Sequence, residues 1–215
     1  MLKPLLARLH APVYRRRLSV LTELILPHLR DGDTILDVGC GAGTLGAALH
    51  SQAHARGMDV RVEGLERFPR GGEPIPVTPY DGKSFPFANQ SFDLVIVADV
   101  LHHESQPEAL LRECIRVSKR RVAIKDHQLW GPLAKMRVSL IDWAANAPYG
   151  VECLYRYNTP LQWESALRDL RLTPVALHRS INLYPVGFNF LFGRRLQYLA
   201  ICRVPSSLEE NAGAL

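Results

Sequence analysis

The sequence has few of the features expected of a membrane-spanning, secreted or metal-binding protein. Its 215 residues contain no apolar run that approaches the length of a membrane span. Pro4, Arg8 and Pro12 interrupt the N-terminal stretch, where a signal peptide would need a continuous apolar segment. The four cysteines are far apart and form no Cys-x-x-Cys pair, which disfavours a structural zinc site and a redox motif. We therefore expect a cytoplasmic protein with reduced thiols.

Recognisable RNA- or DNA-binding motifs are also absent. The net charge is +5, and the positive charge is concentrated in residues 1–30, which hold six basic residues against one acid. A basic segment can meet nucleic acid, anionic lipid or an acidic partner, but charge without a motif does not indicate a nucleic-acid-binding protein. We expect no nucleic-acid partner. Two roles stay open for residues 1–30: a helical segment that caps a neighbouring site, and peripheral membrane contact through residues 1–17.

Apolar runs and helical periodicities alternate along the chain. Strands are predicted over residues 34–37, 60–66, 92–98 and 121–125. Helices are predicted over residues 16–30, 44–52, 107–117 and 163–170. The proline-rich residues 69–87 are expected to be mostly loop, and residues 175–183 and 196–204 to form an antiparallel pair of edge strands. Such alternation indicates an α/β fold with a mostly parallel sheet.

Residues 128–160 interrupt this alternation with an aromatic, apolar segment. An insertion of this size between a core strand and the next helix commonly builds a lid or a substrate pocket. We predict that Asn146 and Tyr157 face the pocket as substrate-binding residues, since each carries a hydrogen-bonding tip, whereas Trp143 and Trp163 are expected to pack. The polar residues 206–215 are expected to be a flexible tail.

The glycine-rich segment ILDVGCGAGTLGAAL, residues 35–49, fits two kinds of cofactor. Gly41-x-Gly43-x-x-Gly46 matches the dinucleotide fingerprint, and Glu66 stands where that fingerprint expects a ribose-binding acid. Asp37-x-Gly39-x-Gly41-x-Gly43 is the competing pattern, and it starts at the end of the strand. An acid there would bind an ammonium group but would repel a pyrophosphate. The position of Asp37 therefore disfavours a dinucleotide.

Four segments in order resemble a class I S-adenosylmethionine (SAM)-dependent methyltransferase of the small-molecule and lipid-precursor type, similar to methyltransferase type 11: ILDVGCGAG, VEGLE, YDGKSFPF and FDLVIVADVLHH. The resemblance runs from about residue 20 to residue 126 and weakens afterwards. It implies a Rossmann-like, doubly wound, mostly parallel seven-stranded sheet with an antiparallel edge strand. It also implies a SAM-binding domain over residues 31–205, with SAM as methyl donor and S-adenosylhomocysteine as product.

The resemblance also assigns contacts to the cofactor. Asp37 would hold the ammonium group, Glu66 would accept hydrogen bonds from the ribose hydroxyls, and Asp81 would bond the adenine amino group. Asp81 before Gly82 also fits an ordinary turn. The complete set of implied cofactor-binding residues is Asp37, Gly39, Cys40, Gly41, Gly43, Glu66, Arg67, Asp81, Gly82, Ala98, Asp99 and Leu101.

Catalytic candidates follow the fourth and fifth predicted strands, where open α/β sheets bind ligands. In-line methyl transfer from a sulfonium needs a base only when the acceptor carries a proton. His103, His127 and Asp126 are the predicted catalytic residues, and His102 is expected to pack or to contact substrate. The histidine pair with Asp126 also fits a metal-ligand set, but adjacent histidines usually point apart, and no metal is expected.

These patterns predict a SAM-dependent methyltransferase acting on a small, partly apolar acceptor. A membrane-associated lipid or quinone methyltransferase and a non-catalytic SAM-binding partner protein are the alternatives. The sequence leaves open the acceptor, the element that is methylated and the oligomeric state. It also leaves open the partner of Lys125, a charged residue near the end of a predicted core strand.

Overall fold

The computed structural model describes residues 2–146 and 153–205, with side chains from residue 13 onward. Its centre is a seven-stranded sheet formed by β1 (Thr34–Val38), β2 (Arg61–Glu66), β3 (Val77–Pro79), β4 (Phe92–Ala98), β5 (Ser118–His127), β6 (Thr173–His178) and β7 (Gln197–Arg203). The order is β3-β2-β1-β4-β5-β7-β6. Strands β1 to β5 are parallel, and β7 is antiparallel to both of its neighbours. The expected doubly wound sheet, including the antiparallel pairing at one edge, is confirmed.

Six α-helices accompany the sheet in the described part of the chain: α1 (Leu2–Ile25), α2 (Thr44–Ala55), α3 (Pro107–Val117), α4 (Ala134–Asn146), α5 (Pro160–Asp169) and α6 (Val186–Phe192). Alternate strand residues feed two cores, because successive side chains of a strand point to opposite faces. Ile35 packs with α1 and α2 residues in one core, and Leu36 packs with α3 and α5 residues in the other. Among the described residues no helix is long and apolar enough to cross a membrane.

The helix predicted over residues 16–30 has different bounds. It begins at Leu2 and ends at Ile25, and a 3-10 helix follows over Leu26–His28. The early end has a local cause: Pro27 has no N–H group, and it disfavours the α conformation of the residue before it. The helix starts earlier than predicted, and it contains Pro4 and Pro12.

The expectation of loop over residues 69–87 missed a strand. The three residues of β3 pair with Gly64–Glu66 at the edge of the sheet. Pro79 is tolerated there because an edge strand needs few hydrogen-bond donors on its outer side. The predicted strand 175–183 is also wrong at its end: β6 stops at His178, and Ile181 forms only an isolated bridge to Arg194. The following helix α6 was not predicted.

The two tryptophans behave differently. Trp163 lies in α5, is buried, and stacks on Tyr198 with ring centroids 4.7 Å apart and planes 6° from parallel. The expectation that it packs is confirmed. Trp143 leaves 55% of its surface exposed, so the same expectation was wrong for it. It lies on the outer face of α4, which the sequence alone could not assign. The tail at 206–215 and residues 147–152 lie outside the described residues.

Candidate active site

The loop after β1 forms the base of the site. Gly39 has φ +64°, and a Cβ atom at this position would lie 2.5 Å from Val100 Cγ2, so both conformation and space require glycine. Gly43 also has a left-handed backbone conformation, and it directly precedes the first residue of α2. A Cβ atom at Gly46 would lie 2.7 Å from Ile75 Cδ1. Gly46 therefore lets α2 approach its neighbours closely.

Asp37 is the acid that the end of β1 presents to this loop. It is only 2% exposed, and its Oδ2 atom makes no hydrogen bond to the described residues. Burial raises the pKa of Asp37 to about 7, and the backbone N–H of Gly46 limits the rise. A buried carboxylate oxygen without a partner is costly. A cationic ligand group would remove that cost, so Asp37 fits the ammonium end of an amino-acid-like cofactor.

Glu66 ties the glycine loop to the end of β2. Its Oε2 accepts a hydrogen bond from the Gly41 backbone N–H at 2.8 Å, and its Oε1 accepts from the N–H groups of Arg67 and Phe68. These bonds fix the carboxylate beside the loop. Its orientation fits a residue that accepts from ligand hydroxyls, and that role stays a prediction.

Asp81 and Gly82 form a turn next to Arg67. Asp81 Oδ1 accepts hydrogen bonds from the backbone N–H groups of Lys83 and Ser84 at 2.8 and 3.1 Å, and these bonds hold the pKa of Asp81 below its usual value. A Cβ atom at Gly82 would lie 2.6 Å from Arg67 Nε. The turn that the sequence allowed is therefore present. The adenine contact assigned to Asp81 stays a prediction.

A cavity of about 510 Å³ lies between the glycine loop, α1 and α4. Ten of the predicted site residues line it: Asp37, Gly39, Cys40, Gly41, Ala98, Asp99, His102, His103, His127 and Asn146. Eight lie outside its lining: Gly43, Glu66, Arg67, Asp81, Gly82, Leu101, Asp126 and Tyr157. The N-terminal helix contributes Val13, Tyr14 and Arg17 to the wall, so residues of the basic segment do border this cavity.

Asp99, just beyond β4, is the centre of a partly buried charge network. Lys125 Nζ donates a hydrogen bond to Asp99 Oδ1, and Arg17 Nη2 lies 2.6 Å from Asp99 Oδ2. Burial acts to raise the pKa of Asp99, but the two cations outweigh it and hold that pKa well below the usual value. Asp99 has φ +58°, an uncommon conformation for a residue with a side chain. The network supplies the partner of Lys125 that the sequence left open.

His102 lies between two carboxylates. Its Nδ1 is 2.6 Å from Asp126 Oδ1, and its Nε2 is 3.4 Å from Asp142 Oδ1. Burial acts to lower the pKa of His102, but Asp126 and Asp142 outweigh it and raise the pKa to about 10. His102 is therefore protonated at neutral pH and cannot act as a general base there. This agrees with the packing role expected for it, and it makes Asp126 a positioning group for His102.

Asp142 of α4 accepts hydrogen bonds from both predicted substrate-binding residues of the lid segment, Asn146 and Tyr157. Its Oδ2 accepts from the Tyr157 hydroxyl at 2.6 Å, and its Oδ1 accepts from Asn146 Nδ2 at 2.7 Å. Burial opposes ionisation, but bonds from His102 and Tyr157 hold the pKa of Asp142 below its usual value. Asn146 lines the cavity as predicted. Tyr157 reaches the site through Asp142 and does not form part of the wall.

The other two histidines differ in their surroundings. His127 is buried, and burial together with the charge of Lys125 lowers its pKa to about 4. Its Nδ1 lies 3.3 Å from Gln197 Nε2, an amide donor, so the imidazole is neutral and already accepts a hydrogen bond. The His103 side chain is 16% exposed, and its Nε2 lies 3.6 Å from Asp142 Oδ1. Of the predicted bases, His103 is therefore the better placed to meet a ligand.

Comparison with known proteins agrees with this arrangement. The family described as "Methyltransferase domain" matches residues 36–124, a segment that contains the glycine loop, β4 and the His102–His103 pair and that ends before Asp126 and His127. The Ubiquinone/menaquinone biosynthesis C-methyltransferase UbiE of Cupriavidus taiwanensis is 30% identical over 144 residues. That alignment covers 60% of this chain and 59% of the relative, so the chain spans about three fifths of the relative's length.

Solved structures share the fold. A SAM-dependent methyltransferase from Aquifex aeolicus superposes with a TM-score of 0.62 at 17% identity, covering 93% of this chain and 97% of that one. A 1,6-didemethyltoxoflavin-N1-methyltransferase from Burkholderia thailandensis, with bound substrate and S-adenosylhomocysteine, gives 0.63 at 17% identity, covering 88% and 79%. The chain therefore contains a methyltransferase domain and has the fold of the SAM-dependent methyltransferases. Both findings agree with the family expected from the four sequence segments.

Part of this methyltransferase site gave no signal in the sequence. Arg17 lies 82 residues from Asp99 in the chain, and nothing in the basic N-terminal segment distinguishes it from Arg15 and Arg16. Tyr184 lines the cavity from the segment before α6, just beyond the strand predicted over residues 175–183. The only sequence signal was the charge of Lys125 within a core strand, which requires a buried partner without identifying it.

A candidate metal-ligand set lies in this site, and its members differ from the set first considered. The donor atoms of His102, His103 and Asp142 lie within 4.8 Å of one another among the described residues. The two histidines converge on one Asp142 oxygen, whereas Asp126 lies on the far side of His102. That oxygen already accepts from Asn146, so hydrogen bonds account for the cluster as it stands.

Proposed function

We propose that this methyltransferase transfers a methyl group from SAM to a small, partly apolar acceptor by in-line displacement. The observation that carries the proposal is that one cavity is lined both by Asp37, whose Oδ2 has no hydrogen-bond partner among the described residues, and by the His102–His103–Asp142 cluster. A cofactor with an ammonium group and a proton-bearing acceptor are therefore both accommodated in one space.

The residues of the glycine loop would hold the cofactor. Asp37 Oδ2 would accept a hydrogen bond from its ammonium group, a charge-assisted bond of the stronger kind. Glu66 would accept from the ribose hydroxyls, and Gly39 and Gly41 would let backbone approach the ligand. When bound, SAM supplies an already activated methyl group, so positioning and exclusion of water provide much of the acceleration.

His103 is the residue that we assign to proton removal from the acceptor. Asp142 lies 3.6 Å from its Nε2 and is itself fixed by Tyr157 and Asn146, so the imidazole has a defined electrostatic environment. A carboxylate beside a histidine stabilises the imidazolium that forms when the base takes a proton. His127 stays neutral, and His102 stays protonated, so both serve to position the cluster.

The acceptor that fits this site is a hydroxylated ring with apolar substituents. Val13, Leu45 and Ile141 supply apolar parts of the cavity wall. Ionisation of a ring hydroxyl activates either that oxygen or the adjacent ring carbon as the nucleophile. The name of the Cupriavidus taiwanensis relative, a quinone-biosynthesis C-methyltransferase, supports the carbon.

Isothermal titration with SAM and S-adenosylhomocysteine tests the cofactor. We expect both to bind the full chain, and Asp37→Asn to weaken SAM binding roughly tenfold to a hundredfold, the worth of one hydrogen bond to a charged group. Asp169→Asn, an exposed acid of α5, is the matched control and should bind normally. Tight NAD binding without SAM binding would overturn the proposal.

Transfer of radiolabelled methyl groups to a panel of phenols and reduced naphthoquinones tests the chemistry. His103→Gln should lower kcat by about a hundredfold or more while SAM affinity is kept, because a general base contributes roughly that factor. Cofactor binding without transfer to any member of the panel would favour a non-catalytic SAM-binding protein and count against the proposed reaction.

A further inference from the structure

Helix α4 presents an apolar stripe to solvent. Leu133, just before the helix, and Met136, Leu140 and Trp143 follow one another at intervals of three and four residues, so they share one face. Their exposed fractions range from 52% at Leu140 to 67% at Leu133. A globular protein normally turns such a stripe inward. Here the opposite face of the helix, with Ala134 and Val138, is the buried one.

Helix α6 extends this surface. Its exposed apolar side chains are Val186, Phe188, Phe190 and Leu191, with Val186 91% exposed. Arg137 of α4 joins the two helices, because its guanidinium donates to the backbone carbonyls of Leu191 at 2.6 Å and Phe190 at 3.2 Å. We call these eight exposed apolar residues, together with Trp130, the α4–α6 face. Contiguous exposed apolar patches of this kind mark interaction sites.

The exposed charges of the two described segments that carry the α4–α6 face are all of one sign. Residues 128–146 and 180–195 contain a single acid, Asp142, and it is buried. The exposed charged residues in these segments are basic, and two of them lie against the aromatic rings. Arg194 is 5.8 Å from the centroid of the Phe190 ring, and Arg195 is 5.3 Å from that of Trp130. The exposed aromatic and aliphatic side chains are thus bordered by basic residues, among them Lys135.

We propose that the α4–α6 face binds the surface of an anionic phospholipid bilayer. Apolar tips can enter the boundary between headgroups and acyl chains while arginines and lysines meet the lipid phosphates, which is how interfacial helices bind. A second copy of the chain is disfavoured, because two such faces would bring like charges together. Nucleic acid is disfavoured because Leu133, Met136 and Leu140 would be buried against a polar backbone.

The face and the cavity belong to the same helix. Ile141, Asp142 and Asn146 line the cavity from the inner side of α4, while Leu140 and Trp143 project outward. A bilayer-bound chain would therefore hold its cavity about one helix diameter, roughly 10 Å, from the lipid. This step rests on the proposed function. It implies that the methyl acceptor is a lipid-soluble molecule that the protein takes from the membrane. It also shifts the expected membrane contact from residues 1–17 to the α4–α6 face.

Sedimentation of the full chain with vesicles tests the inference. The wild type should bind vesicles of phosphatidylcholine with phosphatidylglycerol at least tenfold better than vesicles of phosphatidylcholine alone. Leu140→Ser with Phe190→Ser should reduce binding to the anionic vesicles at least tenfold. Leu161→Ser is the matched control, since Leu161 is 75% exposed on α5, which packs on the other face of the sheet. It should leave vesicle binding unchanged.

Further readouts separate this proposal from the proposed reaction. Circular dichroism should show the variants folded, and methylation of a short, water-soluble acceptor should stay at the wild-type rate in the double variant, whereas methylation of a vesicle-embedded acceptor falls. Equal binding to neutral and anionic vesicles, or none to either, would overturn the inference. So would a dimer seen by light scattering that the double variant abolishes, because a second copy would then cover the face.

Discussion

Asp37 combines burial with a charge-binding task. Its pKa of about 7 follows from burial, and a cationic ligand group beside it would favour the ionised form. The sequence pointed to this residue because an acid at the end of the strand would bind an ammonium group and would repel a pyrophosphate. The unpartnered oxygen could not be predicted from the sequence, because it depends on how α2 packs over β1.

SAM affinity should therefore depend on pH. Below about pH 7 the protonated Asp37 must lose its proton to bind an ammonium group, so the Kd should rise toward tenfold per pH unit. Titration calorimetry in buffers of different ionisation enthalpy would detect the released proton. Asp37→Asn should abolish this release, and a wild-type Kd that stays constant from pH 8 to about pH 5 would contradict the assignment.

His102 makes a second prediction, about stability. Because its folded pKa of about 10 lies above the ordinary value of 6.5, its contribution is fully present below pH 6.5 and is lost as the pH rises through about 10. Asp126→Asn should lower the free energy of unfolding at pH 6.5 by roughly 3 kcal/mol and flatten the decline above it.

Urea unfolding across this pH range is the measurement for His102. Asp169→Asn, with its exposed side chain, is the control and should change stability by no more than about 0.5 kcal/mol. An Asp126→Asn variant with the same pH slope as the wild type would show that the Asp126 carboxylate does not stabilise the His102 cation.

Among the elements, the β1–α2 turn was predicted closely and the region before β7 was not. The glycine spacing of the turn reflects the backbone conformations that neighbouring residues must adopt. The local sequence is therefore enough to predict it. The bounds of β6 and α6 depend on contacts between distant segments, such as the bridge from Ile181 to Arg194. Likewise, Trp143 and Trp163 stand in similar apolar surroundings in the sequence, and only the packing distinguishes them.

Two glycine substitutions can separate the cost of a side chain at positive φ from the cost of a steric clash with a neighbouring residue. Gly39 and Gly57 both have positive φ, but a Cβ atom meets Val100 only at Gly39, and nothing within 4 Å at Gly57. Gly57→Ala should cost about 1–2 kcal/mol of stability. Gly39→Ala should cost more and also weaken SAM binding. Adding Val100→Ala to Gly39→Ala should recover part of the stability in thermal unfolding, and no recovery would exclude the collision.

At the scale of the whole molecule, Asp99 joins three elements: α1 through Arg17, β5 through Lys125, and the end of β4 on which it stands. This junction fixes the N-terminal helix over the cavity. The mostly parallel sheet was predicted from the alternation of strands and helices, and its seven strands were implied by the family resemblance. The Asp99 junction was not predicted, because the sequence does not show which charged residues from distant segments are in contact.

Asp99→Ala should destabilise the chain by roughly 3 kcal/mol, because it leaves the buried Lys125 without its partner. Adding Lys125→Met should restore part of the loss. Glu164→Gln, which removes the exposed pair with Arg179, should change stability by less than about 1 kcal/mol. Chemical denaturation with an unchanged m-value is the check, and a double variant no more stable than Asp99→Ala would contradict the explanation.

Helix α4 carries two sets of residues that can be substituted independently of each other. Substitutions at Ile141 and Asn146 would alter which molecule is accepted, and substitutions at Met136 and Leu140 would alter where the protein resides. Because the two sets lie on opposite sides of one helix, neither change requires the other. A related chain could thus acquire a new acceptor while keeping its location, or change its location while keeping its chemistry.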